Sequence, residues 1–292
     1  MAIQIRSELK EWNVRQAWTW MTVALFILAA HSVMCIPLLH CSDVLISGAA
    51  YFAATMLLTP LVTILGARRP GISAWHWFVV LPMVVVLQWP AMNQLIGNHW
   101  RTPIELSAPS IMGIIVVLAM SAGTLLGTRS TVFALSYTAG IVMLLTPITG
   151  LTWSRAFVTP VGDMLILISI WLVRRNLRNQ LIRVQSSKTT LERTRAVWDL
   201  FGSLHGFAWM RRAQDRINQF GLREKWTVQL TLSGFERCVD STDAPMGEDE
   251  LQAPVEAFVW VLARFADEKW LRQTMMNPQN TKIPQDPPNL SN

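Results

Sequence analysis

Residues 157–178 read FVTPVGDMLILISIWLVRRNLR, and this stretch decides the fold class. Up to residue 173 it holds one charged side chain, Asp163, and it then turns abruptly basic at Arg174 and Arg175. The hydrocarbon core of a bilayer is roughly 30 Å thick and is crossed by about 20 helical residues. An apolar run of this length that ends in arginines is typical of a transmembrane helix that emerges on the cytoplasmic side.

Five further apolar runs of similar length precede this one. Apart from Asp163, the six runs contain no Asp, Glu, Lys or Arg, and they are too long for strands. Because backbone groups in lipid must be hydrogen-bonded internally, we expect helices. Short polar connections predict that neighbouring helices run antiparallel. The predicted spans are 18–39, 44–66, 76–97, 109–127, 131–152 and 157–173.

Charge divides the chain into three segments. Residues 1–173 have a net charge of +3, residues 174–225 of +8 and residues 226–292 of −5. Charged residues make up 15% of the chain, well below the roughly 25% of soluble domains. This pattern argues against a soluble single domain and against intrinsic disorder. We interpret the segments as a transmembrane domain (17–173), a basic juxtamembrane helix with a cytoplasmic domain (174–275) and a disordered tail (276–292).

The distribution of Lys and Arg predicts the orientation. With a cytoplasmic N-terminus, the inner segments up to residue 193 hold twelve Lys and Arg, whereas the outer loops hold only Arg101 and Arg155. The positive-inside rule then places both termini in the cytoplasm and requires an even number of spans. We therefore expect a multi-pass protein of the cell membrane, inner or plasma, whose first helix is an uncleaved anchor rather than a signal peptide.

The N-terminal segment, residues 1–16, has two interpretations. Ile5, Leu9 and Trp12 share one side of a helix at i, i+4, i+7 spacing, which favours a helix lying in the membrane interface. Other apolar residues of the segment fall on the opposite side. An unstructured polar leader is therefore the alternative.

The C-terminal domain is predicted to be mainly helical. Residues 191–220 show helical periodicity and are followed by Gly221, a typical helix stop. Residues 226–232 alternate apolar and polar, as in a half-buried strand, and no second strand is evident. Because a lone strand has unpaired edges, we expect it to pair with a short neighbouring segment or with another protomer. Residues 234–249 are expected to form a loop before a second amphipathic helix. The predicted fold class is an all-α polytopic membrane protein: six transmembrane helices and a small, mainly helical cytoplasmic domain with one short strand.

Asp163, Arg155 and His31 form the candidate polar site. An ionisable residue within a membrane span is by default a functional hypothesis, here a proton or cation site. The alternative is structural: Thr159 and Pro160 fit an N-cap and first-turn pair, which would place Asp163 in the opening turn beside Arg155. His31 lies midway along the first helix and has no evident partner, so a packing histidine is its alternative reading. No catalytic set, metal site or cofactor is predicted.

Four arginines, Arg174, Arg175, Arg178 and Arg183, form a basic collar at the inner end of the sixth span. Such a collar favours anionic lipid headgroups, with about 1 kcal/mol per charge near the surface. Nucleic acid is not expected as a partner, because the charges adjoin a membrane anchor and no nucleic-acid-binding module accompanies them. Small residues at i, i+4 steps in the fourth span favour close helix packing, either within the bundle or in a homo-oligomer.

The sequence contains none of the common motifs for nucleotide binding, serine hydrolysis or zinc-dependent proteolysis. Two classes of function remain. One is a non-enzymatic scaffold or regulator whose cytoplasmic domain binds protein partners. The other is a permease-like transporter subunit, which would need a separate ATPase. A membrane enzyme ranks third, because Asp163 and His31 have no evident catalytic partners.

Overall fold

A computed structural model describes residues 12, 14–66, 72–99, 101–149, 154–238 and 247–275. The protein is mostly helical, with one small sheet. The N-terminal helices form a bundle, and the C-terminal helices form a separate core at one end of it. The bundle helices are α1 (Arg15–Met34), α2 (Asp43–Met56), α3 (Thr59–Leu65), α4 (Ile72–Trp75), α5 (Leu81–Gly97), α6 (Ala108–Gly123), α7 (Thr131–Leu145) and α8 (Arg155–Ser186).

Five stretches of described helix are long and apolar enough to cross a membrane. A π-helical turn, His76–Val80, joins α4 to α5 and belongs to the third of these stretches. The fourth predicted span is shorter than expected, since α6 has 16 residues and the chain leaves the helix after Gly123. The five stretches are Arg15–Met34, Asp43–Leu65, His76–Gly97, Thr131–Ile148 and Ala156–Ser186.

The second span is interrupted, although the sequence predicts one continuous helix. The helix stops after Met56 and resumes at Thr59, because Pro60 has no N–H to donate to the Met56 carbonyl. The Thr59 hydroxyl donates to that carbonyl instead, at 2.7 Å. Tyr137 of α7 donates its hydroxyl to the Leu57 carbonyl at 2.9 Å. The break therefore keeps its carbonyls hydrogen-bonded, as a low-dielectric interior requires.

The outer surface of the bundle is apolar. Phe78 is 80% exposed and Phe26 is 78% exposed, and many other Val, Ile, Leu, Met and Trp side chains face outwards. Polar side chains such as Tyr51 and Tyr137 are buried instead. Soluble monomers rarely expose a continuous apolar surface of this extent. The surface has the character expected of a protein embedded in a membrane.

The helix α8 continues well beyond the membrane-spanning run, as the basic collar predicts. Its 32 residues span roughly 48 Å, which exceeds the hydrocarbon core of a bilayer. Beyond Arg174, the residues Leu177, Leu181 and Val184 share one face and are buried against the C-terminal helices. One helix therefore joins the bundle to the C-terminal core.

The C-terminal core comprises α9 (Thr190–His205), α10 (Phe207–Glu224), α11 (Glu248–Leu262) and α12 (Glu268–Met275). The stretch 191–220, predicted as one helix, is divided between α9 and α10. Gly206 interrupts it with φ +81°, a conformation that side chains rarely adopt. The capping box of α9 is formed by Thr189 and Glu192.

The prediction of a single strand is wrong, because the structure contains an antiparallel pair. Strand β1 (Val228–Thr231) pairs with β2 (Gly234–Arg237), and Leu230 lies opposite Phe235. The second strand falls in the stretch predicted as a loop. The connection has two residues, 232 and 233, and Gly234 follows with φ +122°, so the chain reverses immediately and pairs with itself.

The end of the N-terminal segment lies in the C-terminal core. Trp12 is 1% exposed and forms an isolated antiparallel bridge with Ala266. Val14 is also buried there, immediately before α1 begins. These two residues are therefore packed in protein rather than in a membrane interface. The rest of the predicted interfacial helix, and the predicted disordered tail 276–292, lie outside the described residues.

Candidate functional site

A hydrogen bond joins the first and last bundle helices. The Ser32 hydroxyl of α1 contacts Oδ2 of Asp163 of α8 at 2.7 Å. Ser32 also contacts the carbonyl oxygen of Leu28, one turn earlier, at 2.8 Å. The other carboxyl oxygen, Oδ1 of Asp163, is buried and has no hydrogen-bond partner among the described residues. Asp163 is therefore not isolated, and Ser32 is the partner that the sequence did not reveal.

His31 stands beside this pair. Its side chain is 2% exposed, and its Nε2 lies 3.5 Å from Cys35 Sγ on the next turn. Its Nδ1 is buried without a hydrogen-bond partner in the described part of the chain. His31 and Asp163 are close enough to interact electrostatically. The structure thus brings together two of the three residues that the sequence singled out.

The structure corrects the predicted position of Asp163 in its helix. The N-cap of α8 is Ser154, so Thr159 and Pro160 lie inside the helix rather than at its start. Asp163 is in the third turn, roughly 12 Å along the helix axis from Arg155. A place in the opening turn, where the helix dipole would favour a carboxylate, is therefore wrong. The Arg155 side chain itself lies outside the described residues.

A small cavity adjoins the site. His31 lines it together with Ser47 and Thr159, and apolar residues complete its walls. The Ser47 hydroxyl accepts from the Ile104 backbone N–H at 3.2 Å and donates to the Val44 carbonyl. Among the described residues there is no group of three His, Cys, Asp or Glu that could hold a metal ion. The polar side chains that line the cavity are the imidazole of His31 and the hydroxyls of Ser47 and Thr159.

The C-terminal core is attached to the bundle at several points. The Phe207 N–H donates to the Thr124 carbonyl at 2.6 Å, just beyond the end of α6. Trp209 donates its indole N–H to the Leu65 carbonyl at 3.1 Å, at the end of α3. Arg129 pairs with Asp199 of α9 at 2.6 Å. Further bonds join Ser130 to Ser203, and Asn176 to the Arg129 carbonyl.

The basic collar lies on the exposed side of α8. Arg174, Arg175, Arg178 and Arg183 are all exposed, whereas Leu177 is buried. The Arg175 guanidinium lies 5.3 Å from the ring centre of Trp171, an exposed side chain one turn earlier. Arginine over tryptophan is a favourable pair at an apolar–polar boundary. The arrangement suits contact with lipid headgroups.

A buried histidine lies at the centre of the C-terminal core. His205 is fully buried among the rings of Trp12, Phe201 and Phe265. Neither ring nitrogen has a partner with hydrogen-bond geometry among the described residues. Burial lowers the pKa of His205 to about 3, and the backbone of Phe201, one turn earlier, acts in the opposite direction. His205 is therefore a neutral packing residue at physiological pH.

Comparison with known proteins assigns neither a family nor a function to the chain. The chain matches no protein-family model, no curated protein and no solved structure.

Proposed function

We propose that this chain is an integral membrane protein with six spans and with both ends in the cytoplasm. The exposed apolar surface of the bundle supports membrane insertion. The five long apolar stretches leave out the fourth span, which α6 supplies as a shorter but apolar helix. The C-terminal core contacts the ends of α3 and α6 and the segment before α7, which are the ends that an antiparallel six-helix arrangement would place on one side.

Within that membrane we propose the role of a scaffold or regulator rather than an enzyme. The observation that carries this proposal is the attachment of the C-terminal core to the bundle by several hydrogen bonds and an ion pair. Backbone or side-chain bonds tie it to Leu65, Thr124, Ser130 and Arg129, and Trp12 inserts into it from the N-terminal side. Such a domain forms a fixed platform at the inner membrane surface, as a partner-binding role requires. Alternating access would need these same spans to move against one another.

The platform would lie against anionic lipid. The exposed arginines Arg174 and Arg175 follow the apolar part of α8 directly. Exposed arginines at the inner end of a membrane-spanning helix attract anionic headgroups. This contact would hold the platform close to the membrane surface, where its partners would meet it.

Site-specific photo-crosslinking in cells tests the scaffold proposal. The full-length chain is needed, because removing the N-terminal segment would remove Trp12 from the C-terminal core. A crosslinker at the exposed positions Gln229 and Lys269 should capture a soluble protein. The matched positions Phe26 and Phe78, on the apolar surface of the bundle, should capture lipid but not that protein. Absence of a protein adduct from several exposed positions of the C-terminal core would contradict the proposal.

A permease-like transporter subunit is the second candidate. The contact of Ser32 with Asp163 favours it, because an ionisable residue bonded across two spans is typical of a transport path. This candidate requires a separate ATPase as partner. It predicts that an ATPase co-purifies in mild detergent and that Asp163→Asn abolishes the transport. An unchanged transport rate in Asp163→Asn would remove Asp163 as a transport site.

A further inference from the structure

The Ser32 hydroxyl touches two acceptors at once. Its oxygen lies 2.7 Å from Oδ2 of Asp163 and 2.8 Å from the Leu28 carbonyl oxygen. Both distances are those of full O–H···O hydrogen bonds, yet a serine hydroxyl carries a single hydrogen. If Asp163 is a carboxylate, that hydrogen must serve two acceptors. One of the two short contacts is then left without a hydrogen of its own.

A proton on Asp163 completes the arrangement. The carboxylic acid then donates from Oδ2 to Ser32, and Ser32 donates to the Leu28 carbonyl, so that each contact has its hydrogen. The second carboxyl oxygen, Oδ1, is buried without a partner among the described residues. An unpaired carbonyl oxygen of a neutral acid is much less costly to bury than an unpaired oxygen of an anion.

Among the described residues packed around Asp163, a histidine is the group that can carry a positive charge, and no Lys or Arg side chain interacts with the carboxyl group. His31, from α1, is the titratable group that interacts with it electrostatically, and Cys35 follows one turn later. The helix α7, which packs against α8, contains no Asp, Glu, Lys, Arg or His. From α2 the ionisable residues are Tyr51, whose hydroxyl bonds to the Leu87 carbonyl, and Asp43, exposed at its start. The position of the Arg155 side chain is outside the described residues.

We propose that Asp163 is an intramembrane proton-binding site that is occupied at neutral pH. The proton lies on Oδ2 of Asp163, which donates a hydrogen bond to the Ser32 hydroxyl oxygen. The inference rests on the membrane placement proposed above, because lipid around the bundle is what keeps water from the acid. A carboxyl group that holds and exchanges one proton inside a bundle is the chemistry of proton-coupled membrane proteins. The scaffold role does not use this site, so proton binding at Asp163 would be a second activity, carried by the bundle.

Infrared spectroscopy of the full-length protein in lipid vesicles tests this proposal. A protonated carboxylic acid has a C=O stretching band that is separate from the bands of a carboxylate. At pH 7 the wild-type protein should show this band, and Asp163→Asn should lose it. Ser32→Ala should keep the band but shift its frequency, because the acid loses its hydrogen-bond acceptor. The control Asp43→Asn changes an exposed acid and should leave the band unchanged.

Two results would overturn the proposal and can be told apart. If the protein stays in alkaline-washed vesicles but shows no band sensitive to Asp163→Asn at pH 7, Asp163 is ionised and the proton site is wrong. If the protein is released from the vesicles by the wash, the membrane placement itself is wrong, and the proton site fails with it. A band in Ser32→Ala at the wild-type frequency would exclude Ser32 as the group that holds the proton.

Discussion

Gly206 lies so close to Thr124 that a Cβ atom added at residue 206 would be 2.6 Å from the Thr124 carbonyl oxygen. The same glycine has φ +81°, and the next residue, Phe207, donates its N–H to that carbonyl. The two facts explain why the helix predicted across this region divides. The chain must turn and approach the end of α6 closely, and glycine permits both. This contact fixes the C-terminal core to the bundle.

Gly206→Ala should weaken that attachment. The methyl group meets the Thr124 carbonyl and the backbone is strained, so we expect a loss of about 2–4 kcal/mol in the free energy of unfolding. Limited proteolysis should also cut the connection between α9 and α10 faster. Gly123→Ala is the matched control, because nothing lies within 4 Å of its added Cβ. Equal stability of the two variants would show that the close approach is not required.

Trp12→Ala should unfold the C-terminal core selectively. Trp12 is 1% exposed and packs against Phe201, His205 and Trp270, so its truncation should cost about 3–5 kcal/mol. Amide hydrogen exchange in α9 and α11 should rise, while exchange in the buried part of α2 stays slow. Trp77→Ala, at a side chain that is 69% exposed, should change the exchange of α9 and α11 little. Comparable effects of both variants would contradict the placement of Trp12.

The stability of the C-terminal core should depend on pH through His205. Its pKa is lowered to about 3 in the folded state, from 6.5 in the unfolded chain. The unfolded chain therefore binds a proton between pH 6.5 and 3 that the folded core does not, and stability falls as the pH falls through this window. Between pH 7.5 and pH 5 the loss is about 2 kcal/mol.

His205→Phe should remove this part of the acid sensitivity, because a phenyl ring fits the aromatic surroundings and binds no proton. Urea unfolding at several pH values, followed by tryptophan fluorescence, measures the slope. His40→Asn, at an exposed histidine with φ +46°, should keep the wild-type slope. A slope in His205→Phe identical to that of the wild type would mean that the imidazole titrates normally.

A double-mutant cycle should detect the bond between α1 and α8. Ser32→Ala and Asp163→Ala should be coupled by about 0.6 kcal/mol and by no more than about 1.7 kcal/mol, the range of hydrogen bonds between membrane helices. Unfolding of the reconstituted protein by detergent titration gives the free energies. Ser32→Ala combined with Asp43→Ala should be additive, because Asp43 is exposed on another helix. Additivity in the first pair would mean that the bond contributes nothing.

Much of the fold is predictable from the sequence, and the reasons for the exceptions are local. Apolar runs fix the helices of the bundle because lipid leaves the backbone no other partners. The break at Pro60 is not predicted in this way, because the Thr59 hydroxyl replaces the backbone hydrogen bond that Pro60 cannot donate. The same reasoning also overlooks β2, because four residues after a two-residue turn leave too short a pattern to recognise. A glycine in a helical pattern either weakens the helix or admits a close neighbour, and at Gly206 the structure shows both, since the helix breaks there and Thr124 lies close.

For the candidate site, the sequence predicts some of the residues and not their partner. Asp163 and His31 can be recognised as candidate site residues from the sequence, because ionisable residues are rare in membrane spans. The structure does bring them together. Ser32 could not be found in this way, since a serine in a helix normally bonds to its own backbone. Its second contact depends on how α1 packs against α8, and helix packing in lipid leaves no distinctive sequence pattern at a single residue. The position of Trp12 in the C-terminal core, rather than in the membrane interface, could not be predicted for a similar reason. Its partners lie more than 180 residues away.

The most direct test of the account is the side of the membrane on which Ser107 lies. In a chain whose three cysteines are replaced by serine, Ser107→Cys and Lys188→Cys each give one exposed thiol. Six spans with cytoplasmic ends predict that a membrane-impermeant maleimide labels residue 107 on intact cells and labels residue 188 only after permeabilisation. Labelling of residue 188 on intact cells, or protection of residue 107 until permeabilisation, would contradict the account.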